Sequence, residues 1–147
     1  MNQLLEVLGS FKRVSSVIHA LYEEGTKEFD LNFTQMVVLR CLQNKPWVNM
    51  TDLPIHSLTS NTTISVLVEK LVRKGLVERK YSEVDRRRVM LSLTDEGNAT
   101  IQKIFSDDST LMRTFREVFD LPAKDLQELM RIHQRIIDNS ELRRTRT

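Results

Sequence analysis

The sequence predicts a mainly α-helical fold with one small β-hairpin. Its 147 residues contain only 4 Gly and 3 Pro, so helix breakers are rare. Most apolar residues recur every three or four positions, which is the period of an amphipathic helix, and one stretch switches to a period of two, which is typical of strands. The length is that of one domain, and we expect residues 1–147 to form one.

Composition excludes several classes of protein. The single Cys rules out a disulfide framework or a zinc module built on several cysteines. The three His lie far apart on different predicted elements, so we expect neither a metal nor a cofactor. No phosphate-binding loop, nucleophile elbow or dinucleotide motif is present, which argues against an enzyme. No apolar run approaches the ~20 residues of a membrane span, and the first residues do not resemble a secretion signal, so we expect a cytoplasmic protein.

The first third of the chain predicts two helices. A wide apolar stripe runs from Gln3 to about Lys27, and its apolar face must pack on other helices or on a second subunit. A second helix is predicted to begin at Thr34 as its cap and to end in the run Asn44-Lys45-Pro46.

The middle third predicts a helix-turn-helix followed by a hairpin. Residues 47–50 read as extended, and residues 51–57 read as a short, irregular helix that contains Pro54. A further helix is predicted to begin around Ser60 and to end at Gly75, where glycine fits a left-handed cap. Residues 76–81 and 87–93 alternate in polarity around a polar turn at residues 82–86, which predicts a β-hairpin.

The last third predicts two more helices. Thr94 caps a single long helix whose apolar stripe continues to Phe119, and the run Asp120-Leu121-Pro122 ends it. A final helix follows through Ile137, and the basic tail from Arg143 to Thr147 is expected to fray.

This order of elements is that of a winged helix-turn-helix with a long helix region at each end. We expect the terminal helices to form a homodimer, because they carry more apolar surface than so small a central region can cover. The alternative is that they cover one monomeric core.

Residues 31–97 resemble the MarR family of bacterial transcription regulators. The motifs are Leu71-Val72-Arg73-Lys74-Gly75-Leu76-Val77-Glu78-Arg79, then Asp85-Arg86-Arg87, then Leu93-Thr94 with Gly97. The resemblance implies a DNA-binding region at residues 31–97, called the reading head below, and dimerisation helices at residues 1–30 and 98–142. It also implies a regulator, most simply a repressor, that binds a pseudo-palindromic site on double-stranded DNA and is released by a small anionic or phenolic effector.

Charge is concentrated where DNA contact is expected. Residues 69–90 contain eight basic and four acidic side chains, a net charge of +4 that exceeds the +2 of the whole chain. Such a local excess is the electrostatic footprint of phosphate binding. The ordinary alternative is a solvated charged face, although three consecutive arginines at a hairpin tip are harder to explain in that way.

The predicted DNA contacts fall into two groups. Short polar side chains at a helix start can approach the major groove closely, and basic side chains bind phosphates; the predicted set is Ser60, Asn61, Thr62, Thr63, Ser65, Lys70, Arg73, Arg86, Arg87 and Arg88. Ser60 or Asn61 can instead serve only as a helix cap. The resemblance implies that Arg87 reaches into a minor groove, that Asp85 orients it and that Glu69 braces the wing, with a solvated charge as the alternative role of Glu69.

The sequence departs from the family pattern at Pro54 and Val66. Proline beyond the first turn of a helix costs about 3 kcal/mol, so the short helix either begins late or is distorted. Val66 stands where family members often have a polar or basic residue, which would change sequence preference or weaken binding.

For an effector, the side chains that can line a cleft are His19, Tyr22, Met36 and Arg40. The alternative is that Tyr22 and Met36 belong to the core and that His19 lies at the surface. Oxidation-sensing members place a reactive Cys in the first helix, which this chain lacks. Cys41 is expected to be structural.

The sequence is compatible with two other functions. One is a dimeric protein-interaction module on the same fold with weak or lost DNA binding, and the other is an RNA-binding winged helix. Salt dependence of binding separates the first from a DNA binder, since counterion release makes DNA affinity fall steeply with salt. Preference for structured or single-stranded RNA would identify the second.

Overall fold

The computed structural model describes residues 2–57 and 59–146. It confirms the mainly helical fold with a small antiparallel sheet. The chain divides into two compact units, residues 1–115 and 116–147. None of the described helices is long and apolar enough to cross a bilayer.

Six α-helices and three strands make up the described residues. The helices are α1 Asn2–Thr26, α2 Phe33–Leu42, α3 Asn61–Arg73, α4 Asp95–Ile104, α5 Thr110–Val118 and α6 Ala123–Arg144. The strands are β1 Val48–Asn49, β2 Val77–Tyr81 and β3 Val89–Leu93. Short 3₁₀ turns occupy Lys27–Phe29, Met50–Asp52 and Pro54–Ser57.

Helix α2 is capped by Asn32, and the prediction of Thr34 as its cap is wrong. Asn32 Oδ1 accepts from the Gln35 backbone N–H at 2.8 Å, and Gln35 Oε1 accepts from the Asn32 N–H at 3.1 Å. This reciprocal capping box satisfies two N–H groups at once. Glu23 of α1 accepts a third, from the Phe33 N–H at 2.7 Å, so the start of α2 is also tied to the preceding helix.

The predicted hairpin is present, and it forms a three-stranded sheet in the order β1-β3-β2. Strands β2 and β3 pair antiparallel from Val77 opposite Leu93 to Tyr81 opposite Val89. The predicted extended segment supplies the short outer strand β1, with Val48 opposite Leu91. Leu91 and Leu93 are buried, as the alternation predicted.

The first helix of the helix-turn-helix is replaced by 3₁₀ turns in the described residues. Pro54 is the first residue of the turn Pro54–Ser57. Proline is tolerated there because the first N–H of a helical turn has no internal partner. Thus the chain begins a new turn at Pro54 instead of carrying it inside a helix.

The single long helix predicted from Thr94 to Phe119 is wrong. Helix α4 ends at Ile104 and α5 begins at Thr110. Ser106 donates its hydroxyl to the Lys103 carbonyl at 2.9 Å, and the Ser109 hydroxyl accepts from the Met112 N–H at 3.1 Å. Such side chains compete with the helical backbone and favour helix ends. The apolar period continued through this polar run and hid the break.

The tail also differs from the prediction. Helix α6 continues through Arg144, so Arg143 and Arg144 are helical and not frayed. Thr147 lies outside the described residues.

One core lies in the first unit, and the reading head contributes most of it. Its side chains with 0% exposure include Val38, Leu39, Ile55, Leu71, Leu91, Ile101, Ile104 and Leu111. Helix α3 places Ile64, Leu67, Val68 and Leu71 in this core, which leaves its opposite face at the surface. Gly75, with φ 73°, ends the α3 segment as predicted, and its N–H donates to the Val72 carbonyl at 3.0 Å.

Candidate nucleic-acid interface

The N-terminus of α3 presents a row of short polar side chains. Ser60 is the cap: its hydroxyl accepts from the Thr63 N–H at 3.2 Å and lies 2.9 Å from the Thr63 hydroxyl. The other predicted contacts in this segment are exposed: Asn61, Thr62, Thr63 and Ser65. Because the helix dipole is positive at this end, the exposed row suits an anionic backbone and base edges.

The rest of the exposed face of α3 carries Val66 and two basic side chains. Lys70 and Arg73 are exposed, as is Val66 at 52%. The polar residue that family members often have at the Val66 position is therefore replaced by an exposed apolar group. An apolar side chain here is suited only to apolar surface such as a thymine methyl group.

The wing, defined as β2, β3 and the turn between them, has an ordered tip. The Ser82 N–H donates to the Arg88 carbonyl and the Arg88 N–H to the Asp85 carbonyl, both at 2.9 Å. Asp85 Oδ1 accepts from the backbone N–H of Arg87 at 3.1 Å and from its side-chain Nε at 3.2 Å. Asp85 Oδ2 lies 3.7 Å from Arg88 Nε. One carboxylate thus fixes both the turn and the start of an arginine side chain that is 92% exposed.

The same contacts shift the titration of Asp85. The Arg87 backbone N–H, then the Arg87 side chain, favour the carboxylate and hold the pKa of Asp85 below its ordinary value of 3.8. Asp85 therefore stays charged throughout the neutral range, and its hold on Arg87 is lost only as pH falls through that lowered pKa.

Glu69 connects α3 to the wing. Its Oε2 lies 2.9 Å from Arg79 Nη1 on β2, and its Oε1 lies 3.4 Å from Arg73 Nε on α3. These groups are partly exposed, so the ion pairs add little to stability, about 0–1 kcal/mol each. Their geometric effect is to hold the orientation of β2 relative to α3.

Two contacts around this surface were not predicted. His56 in the turn Pro54–Ser57 lies against Asn61, with 3.1 Å between His56 Nδ1 and Asn61 Oδ1. Lys80 Nζ lies 4.0 Å from the centre of the Trp47 ring, a cation–π contact across the sheet. Nothing local in the sequence indicated either partner, since Trp47 and Lys80 are far apart in the chain and lie on opposite sides of β3.

The four predicted effector residues are engaged in packing. His19 and Tyr22 lie against the Phe33 ring at 4.5 and 5.4 Å, and Tyr22 also meets the Phe115 ring edge-on at 5.0 Å. Arg40 lies over the Phe105 ring at 4.9 Å. Met36 is only 2% exposed. Met36 belongs to the core and His19 lies at the surface, as the alternative expected, while Tyr22 is half-buried and Arg40 is exposed.

An open cleft lies beside them, between the end of α1, the start of α2 and the second half of α3. Its volume is about 840 Å³, and charged groups of both signs line it: Glu23, Lys27, Asp30, Lys70, Arg73 and Lys74. Lys74 closes part of it, since its ammonium contacts the Asp30 carbonyl and lies 3.3 Å from Asp30 Oδ2. This contact ties the end of α3 to the α1–α2 connection.

Within the residues that the structure describes, no group of His, Cys, Asp and Glu is arranged to hold a metal ion. Cys41 is half-buried and packs against the core.

Comparison with known proteins gives a consistent picture. A MarR family sequence model matches residues 31–89. The HTH-type transcriptional regulator SarZ of Staphylococcus epidermidis is 30% identical over 109 residues, which cover 74% of this chain and 71% of that protein. SarZ of Staphylococcus aureus strain USA300 is 33% identical over 78 residues, 53% of each chain, so this chain spans about half the length of that relative. These relatives are named as transcription regulators and not as enzymes.

Solved structures share the fold. A MarR-like transcription regulator from Bacillus cereus superposes with a TM-score of 0.78 at 16% identity, covering 95% of this chain and 99% of that one. A mutant MarR from E. coli, solved with operator DNA, gives a TM-score of 0.75 at 20% identity, covering 92% and 96%. At such identities the likeness shows the fold alone.

Proposed function

The chain belongs to the MarR family, and from that premise we propose that it is a sequence-specific regulator of transcription that binds double-stranded DNA as a homodimer. One observation carries the proposal: helix α3, which begins with an exposed polar row, and the wing, which ends in an ordered arginine tip, are joined by the ion pair between Glu69 of α3 and Arg79 of β2. Two groove-reading elements are thereby held in one geometry. Residues 31–97 form the DNA-binding region.

Helix α3 enters the major groove in this proposal. Asn61, Thr62, Thr63 and Ser65 meet base edges and phosphates, while Lys70 and Arg73 neutralise the backbone. Several of these side chains are short, so the helix can approach closely. Ser60 serves mainly as the cap, because its hydroxyl already accepts from the Thr63 N–H.

The wing reaches the adjacent minor groove. A narrow minor groove concentrates negative potential, and a guanidinium suits it. Asp85 aims Arg87 by accepting from both its backbone N–H and its Nε. Arg86 and Arg88, both exposed, add backbone contacts on either side.

The homodimer rests on apolar side chains left at the surface of the terminal helices. On α1, Leu4 is 65% and Leu8 is 55% exposed. On α6, where no residue is buried, Met130 is 63% and Ile137 is 50% exposed. We assign residues 1–30 and 98–142 to dimerisation within a single functional domain of residues 1–147. A two-fold dimer then predicts a pseudo-palindromic site with half-sites about one helical turn, ~10 bp, apart.

Repression released by a small anionic or phenolic effector completes the proposal, with action in the cytoplasm, where bacterial DNA lies. The charged cleft at the end of α3 supports an effector, because Lys74 there links α3 to Asp30. A ligand that competes for Lys74 would loosen that link. The side chains expected as effector contacts from the sequence, His19, Tyr22, Met36 and Arg40, are not among those that line this cleft.

Salt dependence of binding to a random duplex tests the DNA proposal. Counterion release should make log affinity fall linearly with log salt, and six to ten phosphate contacts would cost about 10³–10⁵ in affinity between about 50 and 200 mM. A flat response would contradict DNA binding and favour the interaction module. Tighter binding to a structured RNA of the same length would favour the RNA-binding alternative.

A further inference from the structure

The His56 ring bridges two parts of the helix-turn-helix. Its Nε2 lies 2.7 Å from the Met50 carbonyl oxygen, in the turn that follows β1, and its Nδ1 lies 3.1 Å from Asn61 Oδ1, on the first residue of α3. Asn61 is exposed and belongs to the polar row proposed to meet DNA. One histidine therefore touches both a fixed backbone group and a DNA-facing amide.

The chemistry of these two contacts is asymmetric. A carbonyl oxygen only accepts, so Nε2 must carry a proton to bond Met50. In a neutral imidazole Nδ1 then has no proton and accepts, and Asn61 satisfies it only by turning its Nδ2 toward the ring. When the ring is charged, Nδ1 donates, and Asn61 places Oδ1 toward it.

We propose that His56 is a positioning residue that selects which end of the Asn61 amide faces DNA. With His56 charged, Asn61 presents its N–H groups, which suit guanine O6 and N7, thymine O4 or a phosphate. With His56 neutral, it presents Oδ1, which suits the amino groups of adenine or cytosine. Base preference at the position under Asn61 thus depends on the protonation of His56.

Several elements that surround His56 carry charged side chains. The turn Pro54–Ser57 packs on α2 and α3. The charges on these elements and on the preceding turn are Asp52, Arg40, Glu69, Lys70 and Arg73. Arg40 is held over Phe105, and Glu69 with Arg73 lies in the second half of α3.

The inference rests on the proposed function only for its consequence on DNA, so its first test uses the free protein. NMR of full-length protein between about pH 5 and 8 should show the Asn61 side-chain amide resonances moving with the same midpoint as the His56 ring. His56→Gln, which can still donate to the Met50 carbonyl, should abolish that movement. His133→Gln, which removes another histidine on α6, should leave it unchanged. Asn61 resonances that ignore the His56 titration would overturn the inference, whether or not the protein binds DNA.

The second test reads base preference directly. Duplexes selected from a random pool by the wild type, and their single-base variants, are titrated at about pH 5.5 and pH 8. At one base pair in each half-site, relative affinity should change about tenfold between the two pH values, in the direction of an amide reversal. The change should vanish in both His56→Gln and Asn61→Ala and persist in His133→Gln. A preference in the wild type that is the same at both pH values would contradict the proposal, while failure to select any duplex would contradict the proposed function instead.

Discussion

Large apolar side chains are buried in the reading head and exposed on the terminal helices. In the reading head, Leu39, Leu71 and Leu91 are 0% exposed. In α1 and α6, Leu4 and Met130 are 65% and 63% exposed. The reading head buries its large apolar side chains in the core, whereas the terminal helices hold apolar surface that a single chain leaves in water. Stability of the fold and formation of the dimer should therefore respond to different substitutions.

Polar side chains show the complementary difference. In the reading head they hold one another in defined directions, as Asp85 holds Arg87 and Glu69 holds Arg79. On α6, the ion pair between Glu128 and Arg131 is local, with 2.6 Å between its charged atoms within one helical turn. Pairs that link separate elements can fix a binding surface, whereas a pair within one helical turn adds only a few tenths of a kcal/mol to that helix.

The largest expected effect is the loss of stability caused by a substitution in the buried part of the first unit, at Gly97. A methyl group at Gly97 would overlap the Leu76 backbone carbonyl oxygen, and backbone cannot move aside without disturbing the junction of β2 with α4. We expect Gly97→Ala to lower the free energy of unfolding by about 3 kcal/mol, measured by chemical denaturation. Gly9→Ala on α1 is the control: its new methyl would meet only the end of the Arg13 side chain at 3.5 Å. Equal stability of the two variants would contradict the packing described for Gly97.

Most of the reading head could be predicted because its signals are local. The period change marked β2 and β3, and Gly75 marked the end of α3. Ser60 was recognised as a possible cap because its hydroxyl serves an N–H only three residues ahead. The break between α4 and α5 was missed because the apolar period persists across Ser106 and Ser109, and periodicity alone does not reveal a polar interruption.

The parts of the site that could not be predicted depend on distant partners. Lys74 was recognised only as part of a motif, yet its contact is Asp30, more than forty positions earlier. His56 faces Met50 on one side and Asn61 on the other, and this arrangement follows from Pro54 starting a new 3₁₀ turn. Local sequence patterns do not show that these residues come within contact distance in the folded chain.

The second effect is the loss of dimerisation through the terminal helices, with the reading head still folded. Ile137→Glu on α6 puts a charge on the face proposed for dimerisation, and we expect a monomer by sedimentation equilibrium with the helical content retained. Affinity for a two-half-site duplex should fall about a hundredfold, because the two reading heads no longer bind as one. Gln127→Glu, also at an exposed position of α6, should remain dimeric. A monomeric wild type, or a dimeric Ile137→Glu, would contradict the proposed interface.

The smallest effect, on the wing, tests the central claim most directly: that the ordered tip of this chain reads DNA. Arg87→Ala is compared with wild type on a duplex selected from a random pool, by fluorescence anisotropy. Lys103→Ala, which removes one exposed charge on α4, is the matched control. The account predicts about tenfold weaker binding for Arg87→Ala, almost no change for Lys103→Ala, and unfolding free energies within about 0.5 kcal/mol of wild type for both. Wild-type affinity in Arg87→Ala would contradict the account.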